Sequence, residues 1–225
     1  MKKCNSIFIL VAAMAVWTNV AFADINSLGV VKYSKGNVRV TQGAVERELK
    51  GSDLIAHGEK VASGQEGKAV VRLLPDQAFL EIRPKTTFVL KRVKTKDGQI
   101  RRVVLTEGEV VFGLKKKSLP IQCDNTQTQA TARMGRFACK SDGGGTAMIL
   151  VQDGEVSVYN RPKDIIAVVR SGQKAVSDGN GVKVSDATDS ELEQVGFRQN
   201  TIEVDFINPE SEEYTTLEVE YETNF

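Results

Sequence analysis

The stretch that decides the fold is residues 69–74, AVVRLL, in which Ala69, Val71 and Leu73 stand at every second position. Residues 80–82, LEI, repeat this alternation a few positions later. A period of two places successive side chains on opposite faces of a strand, so one face of each segment is expected to lie on a core. The two segments therefore predict β-strands.

Strand patterns and turn signals continue through the rest of the chain. Residues 38–40 and 156–158 alternate in the same way, whereas residues 102–105 and 148–151 are more uniformly apolar, as central strands often are. Asp-Gly pairs are typical of tight turns, because glycine adopts a positive φ at little cost. They occur at residues 97–98, 142–143, 153–154 and 178–179. The prediction is an all-β fold, a twisted β-sandwich or an irregular solenoid-like stack of short strands.

A Gly-x-Val motif recurs at Gly36, Gly108 and Gly154. We interpret each glycine as a turn residue that enters an alternating strand. The spacings between the three glycines are 72 and 46 residues, and this inequality argues against a solenoid of fixed period.

One short helix is predicted near residues 189–196, because Thr188 and Glu191 fit a capping box before Leu192. Strand signals resume after it. The predicted division of the chain is a signal peptide at 1–23, a β domain at 29–185, a short helical linker at 186–200 and an acidic β tail at 201–225.

The N-terminus has the layout of a secretory signal peptide. Two lysines precede an apolar run over residues 7–16, and residues 21–23, AFA, fit the small-x-small rule with cleavage before Asp24. An uncleaved anchor is the alternative, but Thr18 and Asn19 interrupt the run, and ~20 apolar residues normally span a bilayer. We expect a cleaved signal helix, no membrane span in the mature chain, and a periplasmic or secreted location.

Composition excludes several classes of function. Residues 24–225 carry 28 Lys/Arg and 29 Asp/Glu, so the chain is not a polycation and no nucleic-acid partner is predicted. His57 is the only histidine and is interpreted as an exposed turn residue, and the chain's three cysteines with one histidine do not make a zinc framework. A Gly-x-Ser-x-Gly nucleophile elbow is absent from the sequence. We predict no enzyme activity, no cofactor and no metal site.

In their order along the chain, the strand motifs resemble the FecR domain. They are Gly36-x-Val38-x-Val40, Leu80-x-Ile82-x-Pro84, Leu105-x-x-Gly108-x-Val110, Gly135-Arg136-Phe137-Ala138, Val151-x-x-Gly154-x-Val156 and Gly172-Gln173-x-Ala175. The resemblance covers about residues 29–185, and the family usually has Gly-Thr-x-Phe at the Gly135 motif. It implies a β domain outside the cytoplasm that serves binding or scaffolding and brings no catalytic residues. Signalling members carry a cytosolic anti-sigma segment and a membrane helix. A stand-alone exported member with neither is expected here.

Cys123 and Cys139 are the only cysteines after the predicted cleavage site. An even pair in an exported protein predicts a disulfide. Closing a loop of ~16 residues is expected to stabilise the fold by about 3 kcal/mol. The alternative is two small, unpaired core residues.

Charge is distributed unevenly along the chain. Residues 24–183 carry 27 basic and 17 acidic residues, net +10, whereas residues 184–225 carry one basic and 12 acidic residues, net −11. Six cations around the turn at 97–98 form a candidate basic interaction face for an envelope protein or an anionic envelope polymer. They are Lys91, Arg92, Lys94, Lys96, Arg101 and Arg102. The alternative is a solvated hairpin whose cations protect a sheet edge.

The acidic tail contains two alternating segments that predict a hairpin or paired edge strands. The apolar residues of the first are Ile202, Val204 and Phe206, and those of the second, the candidate tail interaction strand, are Leu217, Val219 and Tyr221. An isolated hairpin is marginal in water, so its apolar face needs support. We expect it either to rest on the basic domain of this chain or to add to the sheet edge of another protein.

The predicted function is that of a non-enzymatic exported binding or scaffold protein of the cell envelope. The alternative is an extracytoplasmic regulatory partner of a sigma-regulator or TonB-type receptor system. The sequence predicts no oligomeric state.

Overall fold

The computed structural model describes residues 27–76, 78–195, 200–207 and 214–221, the last two ranges by their backbone. Within these ranges the chain is built from strands and one short helix, α1 (Asp189–Val195), which confirms the predicted all-β class and the predicted helix. The strands are β1 (Ser27–Lys35), β2 (Val38–Gln42), β3 (Val45–Glu48), β4 (Leu54–Ala56), β5 (Lys60–Ser63), β6 (Lys68–Leu73), β7 (Phe79–Ile82), β8 (Thr87–Thr95), β9 (Gly98–Leu114), β10 (Ile121–Asp124), β11 (Thr128–Ser141), β12 (Ala147–Asn160), β13 (Ile165–Arg170), β14 (Gln173–Asp178), β15 (Gly181–Asp186), β16 (Asn200–Ile207) and β17 (Tyr214–Tyr221).

Strands β1 to β15 hydrogen-bond into one sheet with two arms, which share the long strands β9, β11 and β12. Arm A contains β3, β2, β5 and β8, the first halves of β9 and β11 with β10 between them, the second half of β12, and β13. Arm B contains β4, β1, β6 and β7, the second halves of β9 and β11, the first half of β12, and β14 and β15. Pairing is antiparallel except between β9 and β10. The sheet spans residues 27–186, and the domain boundaries at 29 and 185 stay a prediction.

The two arms face each other across one hydrophobic core. Val40 and Phe88 of arm A are buried in the same cluster as Val71 and Phe112 of arm B. The ring of Phe112 lies with its centroid 4.9 Å from that of Phe137. Because the alternate residues of both arms share this core, the sheet forms the two layers of a sandwich.

Glycines bend the long strands where they pass between the arms. Gly108, Gly135 and Gly154 lie inside β9, β11 and β12 with φ values of 91°, 106° and 87°. A Cβ on Gly135 would lie 2.1 Å from the carbonyl oxygen of Asp153, so a side chain does not fit there. The interpretation of Gly108 and Gly154 as turn residues that enter strands is therefore wrong, as is the tight turn at 153–154. A short strand pattern on either side of a bend looks the same in sequence as two strands joined by a turn.

The remaining glycine signals fall in turns as predicted. Gly36, with a φ of 70°, lies between β1 and β2. The Asp-Gly pairs at 97–98, 142–143 and 178–179 lie at the connections from β8 to β9, β11 to β12 and β14 to β15.

Helix α1 covers the outer face of arm B. Val195 of α1 is buried in a second cluster with Val111, Ala138 and Leu150 from β9, β11 and β12, and Leu192 packs against them. These sheet residues point away from the central core, because strand alternation turns them to the opposite face. The helix therefore forms a third layer on this side, and the described residues place no helix on the other.

The ends of α1 are held by polar contacts. The predicted capping box is present: Glu191 accepts a hydrogen bond from the Thr188 amide at 2.8 Å, and its own amide donates to the Thr188 hydroxyl at 3.3 Å. The Lys174 ammonium donates to the Glu191 carboxylate at 2.6 Å, and this contact, with the backbone bond, lowers the pKa of Glu191 to about 2. Arg83 donates to the Gln194 carbonyl at 2.7 Å near the C-terminus of the helix, where a cation is favourable.

Strands β16 and β17 pair with each other in a separate antiparallel sheet, which confirms the strand pairing predicted for the acidic tail. The register sets Ile202 opposite Val219 and Val204 opposite Leu217. By alternation the apolar positions fall on one face of this hairpin and Glu203 and Glu218 on the other. In the described part of the chain, α1 is too short to cross a bilayer.

Candidate functional site

The outer face of arm A contrasts with that of arm B, because it is not covered by the helix. One register row crosses it from β8 to β13, and its members are Lys91, Arg102, Gln122, Thr131, Ser157 and Val168. The adjacent row consists of Val89, Val104, Asp124, Gln129, Tyr159 and Ile166. We call this surface the open face.

The register of the β8–β9 hairpin divides the six cations of the predicted basic face. Lys91 lies opposite Arg102, and Arg92 lies opposite Arg101. Neighbours along a strand point to opposite faces, so Lys91 and Arg102 lie on the open face, whereas Arg92 and Arg101 lie on the inner side with the buried Leu90. The structure therefore does not bring the six cations together into one surface. Lys96 occupies the turn.

Arg101 is not available to a partner at all. It is 0% exposed, and its guanidinium donates to the Asp76 carboxylate at 2.5 Å and to the Leu74 carbonyl at 3.1 Å. Asp76 also accepts a hydrogen bond from the Leu119 amide. A buried charge must be paired, and this pair ties β9 to the connection between β6 and β7. The assignment of Arg101 to an exposed basic face is thus corrected by its burial.

Arg102 on the open face belongs to a network around Asp124. The Asp124 carboxylate accepts from the Gln122 amide at 2.8 Å and lies 3.5 Å from Arg102 and 3.3 Å from Arg161. Burial raises the pKa of Asp124, and the two arginines and Gln122 act in the opposite direction. The side chain of Arg102 keeps 35% of its surface exposed. Together with Lys91 it makes this part of the open face cationic.

The far edge of the open face is apolar, a feature that the sequence analysis missed. Strand β13 pairs with β12 alone and exposes Ile166 (69%) and Val168 (37%). The continuous apolar run of residues 165–169 between two turns was the available signal, but an edge strand and a buried strand look alike in such a run.

Cys123 and Cys139 are both buried, and both are free thiols in the structure. The predicted disulfide is therefore not formed in it. The thiols are close enough to hydrogen-bond, and this contact together with burial raises the pKa of Cys123 well above its usual value. Cys123 lies on β10 and Cys139 on β11, and both belong to the hydrophobic core between the two arms. As free thiols they pack as two small core residues, which was the alternative to a disulfide.

His57 occupies the exposed turn predicted for it. Its Nδ1 accepts a hydrogen bond from the Arg92 amide at 3.0 Å, and the neighbouring Gly58 amide donates to the Leu90 carbonyl at 2.8 Å. The turn is therefore attached to β8. No group of three His, Cys, Asp or Glu that could hold a metal ion occurs among the described residues.

Leu217, Val219 and Tyr221 of the candidate tail interaction strand lie in β17, opposite Val204, Ile202 and Asn200. Their interactions stay a prediction.

Residues 59–157 match the family model described as FecR protein. This segment extends from the turn before β5 into β12, so it contains the β8–β9 hairpin and most of the open face. The resemblance to FecR-domain proteins expected from the sequence is confirmed over these residues.

Two solved structures share the fold. Both are crystal structures of a candidate anti-sigma factor from Parabacteroides distasonis ATCC 8503, one at 2.50 Å and one at 1.65 Å resolution. The first is 17% identical, with 68% of this chain and 69% of that chain covered and a TM-score of 0.50. The second is 18% identical, with 68% and 70% covered and a TM-score of 0.51. At this identity the likeness establishes the fold alone. A search of the curated proteins finds no match to this chain.

Proposed function

We propose that this chain is a non-enzymatic exported binding or scaffold module of the cell envelope, and that it captures an acidic protein partner on the open face of arm A. The predicted signal peptide and the FecR match at 59–157 support the proposed location. No cluster of three His, Cys, Asp or Glu that could hold a metal ion occurs among the described residues. The carboxylate of Asp124, whose pKa burial raises, is already bound by Gln122, Arg102 and Arg161. Its contacts therefore favour a role in recognition over one in catalysis.

The observation that carries this proposal is the unequal covering of the two outer faces. Arm B has α1 on its outer face, and the apolar residues Val111, Ala138 and Leu150 are buried beneath it. The open face of arm A instead exposes Ile166 and the cations Lys91 and Arg102. A surface with exposed apolar residues beside a cationic patch suits a partner whose contact surface is acidic at one end and apolar at the other.

Charge complementarity selects an acidic protein as the occupant. The region of residues 24–183 has a net charge of +10, so it attracts anionic surfaces over several ångströms at low salt. An anionic polymer would satisfy the cations but would leave Ile166 and Val168 in water. A protein partner covers both, and binding of a polymer is an outcome that the experiment distinguishes.

The test is crosslinked capture from intact cells with the full chain, comparing Lys91→Gln/Arg102→Gln with the matched control Lys32→Gln/Lys68→Gln. The control removes the same charge from two exposed lysines of arm B. We expect the open-face pair to lose about tenfold or more of captured acidic protein at ~0.05 M salt and the difference to shrink at ~0.5 M. Equal loss in both variants, or capture of polysaccharide or lipid in place of protein, would refute the open-face proposal.

We also propose that the tail strand with Leu217, Val219 and Tyr221 adds to a sheet edge of the same partner. The support is its pairing with β16 in a sheet separate from the domain, which leaves one edge of β17 without a partner strand among the described residues. A chain that ends at residue 199 should capture less partner while Lys91→Gln/Arg102→Gln still reduces the remainder. If truncation leaves capture unchanged, the tail has no such role and the open face stands alone.

A regulatory role is the second candidate function. It is favoured by the FecR match and by the shared fold with structures described as candidate anti-sigma factors. Here the captured partner would be a component of a sigma-regulator or TonB-type receptor system. Transcription of an extracytoplasmic-sigma regulon in a strain that lacks the chain distinguishes the two: a change supports regulation, and no change supports the scaffold.

A further inference from the structure

A cleft separate from the open face lies beneath the β8–β9 hairpin. It has a volume of about 220 Å³ and is lined by Leu28, His57, Arg92, Lys94 and Gln99. The hairpin extends beyond the core here, so positions that continue the buried row of Leu90 carry polar side chains in place of apolar ones. Arg92 and Lys94 thus lie on the inner side of β8, and Gln99 lies opposite Lys94 on β9.

The polar side chains that line the cleft include two cationic hydrogen-bond donors and no anionic acceptor. Arg92 brings a guanidinium, Lys94 an ammonium and Gln99 an amide, and no Asp or Glu is among the lining residues. Arg101, the residue directly opposite Arg92, is already paired with Asp76. Arg92 and Arg101 are therefore like charges at directly opposed positions of β8 and β9, and like charges so placed are destabilising.

The guanidinium of Arg92 has one unsatisfied donor. Its Nε is buried and has no hydrogen-bond partner among the described residues. A buried donor left unpaired costs free energy, and a charged one costs more than a neutral one. An acceptor brought by a ligand would remove this cost.

His57 adds a fixed donor at the rim. Because Nδ1 of His57 accepts a hydrogen bond from the Arg92 amide, the ring proton of the neutral imidazole is on Nε2. Nε2 can therefore donate a hydrogen bond to a ligand. The Gly58–Leu90 hydrogen bond holds the turn against β8, so the ring has a defined position relative to Arg92.

We propose that this cleft binds a phosphate group. Donors converge from a guanidinium, an ammonium, an imidazole and an amide, and a tetrahedral oxyanion offers acceptors in as many directions, whereas a carboxylate offers two oxygens in one plane. The volume lies below the about 300 Å³ at which pockets for drug-sized ligands begin, and it suits a small anion such as phosphate. The group is either free phosphate or the phosphate of a larger molecule that extends into solvent.

The experiment is calorimetric titration of the full chain with inorganic phosphate, and separately with glycerol 3-phosphate, at constant ionic strength. Arg92→Gln and Lys94→Gln should each weaken binding by about tenfold or more, because each removes a charged donor. Lys96→Gln is the matched control, since it removes one charge from the same hairpin outside the cleft. It should leave the affinity within about twofold.

A second measurement locates the ligand. Phosphate should shift the ¹⁵N resonance of His57 Nε2 in the unmodified chain and not in Arg92→Gln, while circular dichroism shows that the variant is folded. Equal affinity for the two compounds supports recognition of the phosphate group itself, and preference for inorganic phosphate supports the free ion. Absence of saturable binding of either compound, or equal weakening in Lys96→Gln and Arg92→Gln, would overturn the proposal.

Discussion

The two outer faces of the sandwich are made by the same three long strands, yet they differ in what lies on them. Where β9, β11 and β12 pass through arm B, their outward residues are apolar and α1 covers them. Where the same strands pass through arm A, their outward residues are mixed and no helix is placed on them among the described residues. One set of strands thus provides a structural face and a candidate binding face. The difference teaches that a single glycine bend in each strand separates a stretch that the helix covers from a stretch that it does not cover.

The largest effect is expected at the bend that joins the arms. Gly135→Ala places a Cβ 2.1 Å from the Asp153 carbonyl oxygen at a positive φ, and we expect a loss of about 4 kcal/mol or more in the free energy of unfolding. Gly172→Ala is the matched control, because Gly172 also has a positive φ but a Cβ there meets nothing within 4 Å. Its cost should be about 1–2 kcal/mol. Urea denaturation measures both, and equal values would show that the bend does not depend on close approach.

Arg101 and Arg102 are adjacent on β9, but Arg101 lies inside the sandwich and Arg102 lies on the open face. Arg101→Met leaves the mostly buried carboxylate of Asp76 without its cation and should cost about 3 kcal/mol. Arg102→Met leaves Asp124 with Gln122 and Arg161 and should cost about 1 kcal/mol or less. Adding Asp76→Asn to Arg101→Met should recover part of the loss. Similar costs for the two single variants in urea denaturation would contradict the assignment of Arg101 to the interior.

Shortening one apolar side chain on each outer face tests which of the two faces is covered. Leu150→Ala creates a cavity under α1 and should cost about 2–4 kcal/mol. Val104→Ala on the open face should cost less than about 1 kcal/mol, because Val104 is only partly buried. Thermal unfolding monitored by circular dichroism compares them. A larger loss at Val104 would mean that the open face is covered in solution.

The smallest effect concerns the polar contacts of α1. Glu191 has its pKa lowered from 4.5 to about 2 in the folded chain, so its contribution to stability is present above about pH 4.5 and is lost as the pH falls through 2. Glu191→Gln should therefore lower the melting temperature slightly at pH 7 and make no difference near pH 2. A difference between the two chains that grows as the pH falls would contradict this contact. The melting temperature of the unmodified protein, measured at each pH, is the control for acid unfolding of the rest of the chain.

Several local features could be predicted from the sequence because their physical causes are local. The capping box at Thr188 and Glu191 depends on residues three apart, and the turns at the Asp-Gly pairs 97–98 and 142–143 depend on the positive φ of one glycine. The alternation of residues 69–74 likewise gives a strand with one buried face. None of these needs a distant partner.

The candidate site could be predicted only in part. The sequence located the cations of the β8–β9 hairpin, but it grouped Arg101 with Arg102, although strand alternation sets them on opposite faces once both are in one strand. It also missed that Gly154 bends a strand, since the Met134 carbonyl that excludes a side chain at Gly154 comes from the neighbouring strand. The first error concerns which face of a strand each residue occupies, and the second concerns a contact between two different strands.

By itself the sequence determined the strand-rich class, the short helix and the uneven charge of domain and tail, because periodicity, capping and net charge are properties of neighbouring residues and of their sum. Only the tertiary structure decided which outer face α1 covers, which arginine is neutralised by Asp76, and that Arg92, Lys94 and His57 meet in one cleft. The reason is that burial and pairing depend on which strands become neighbours, and long-range register sets that arrangement.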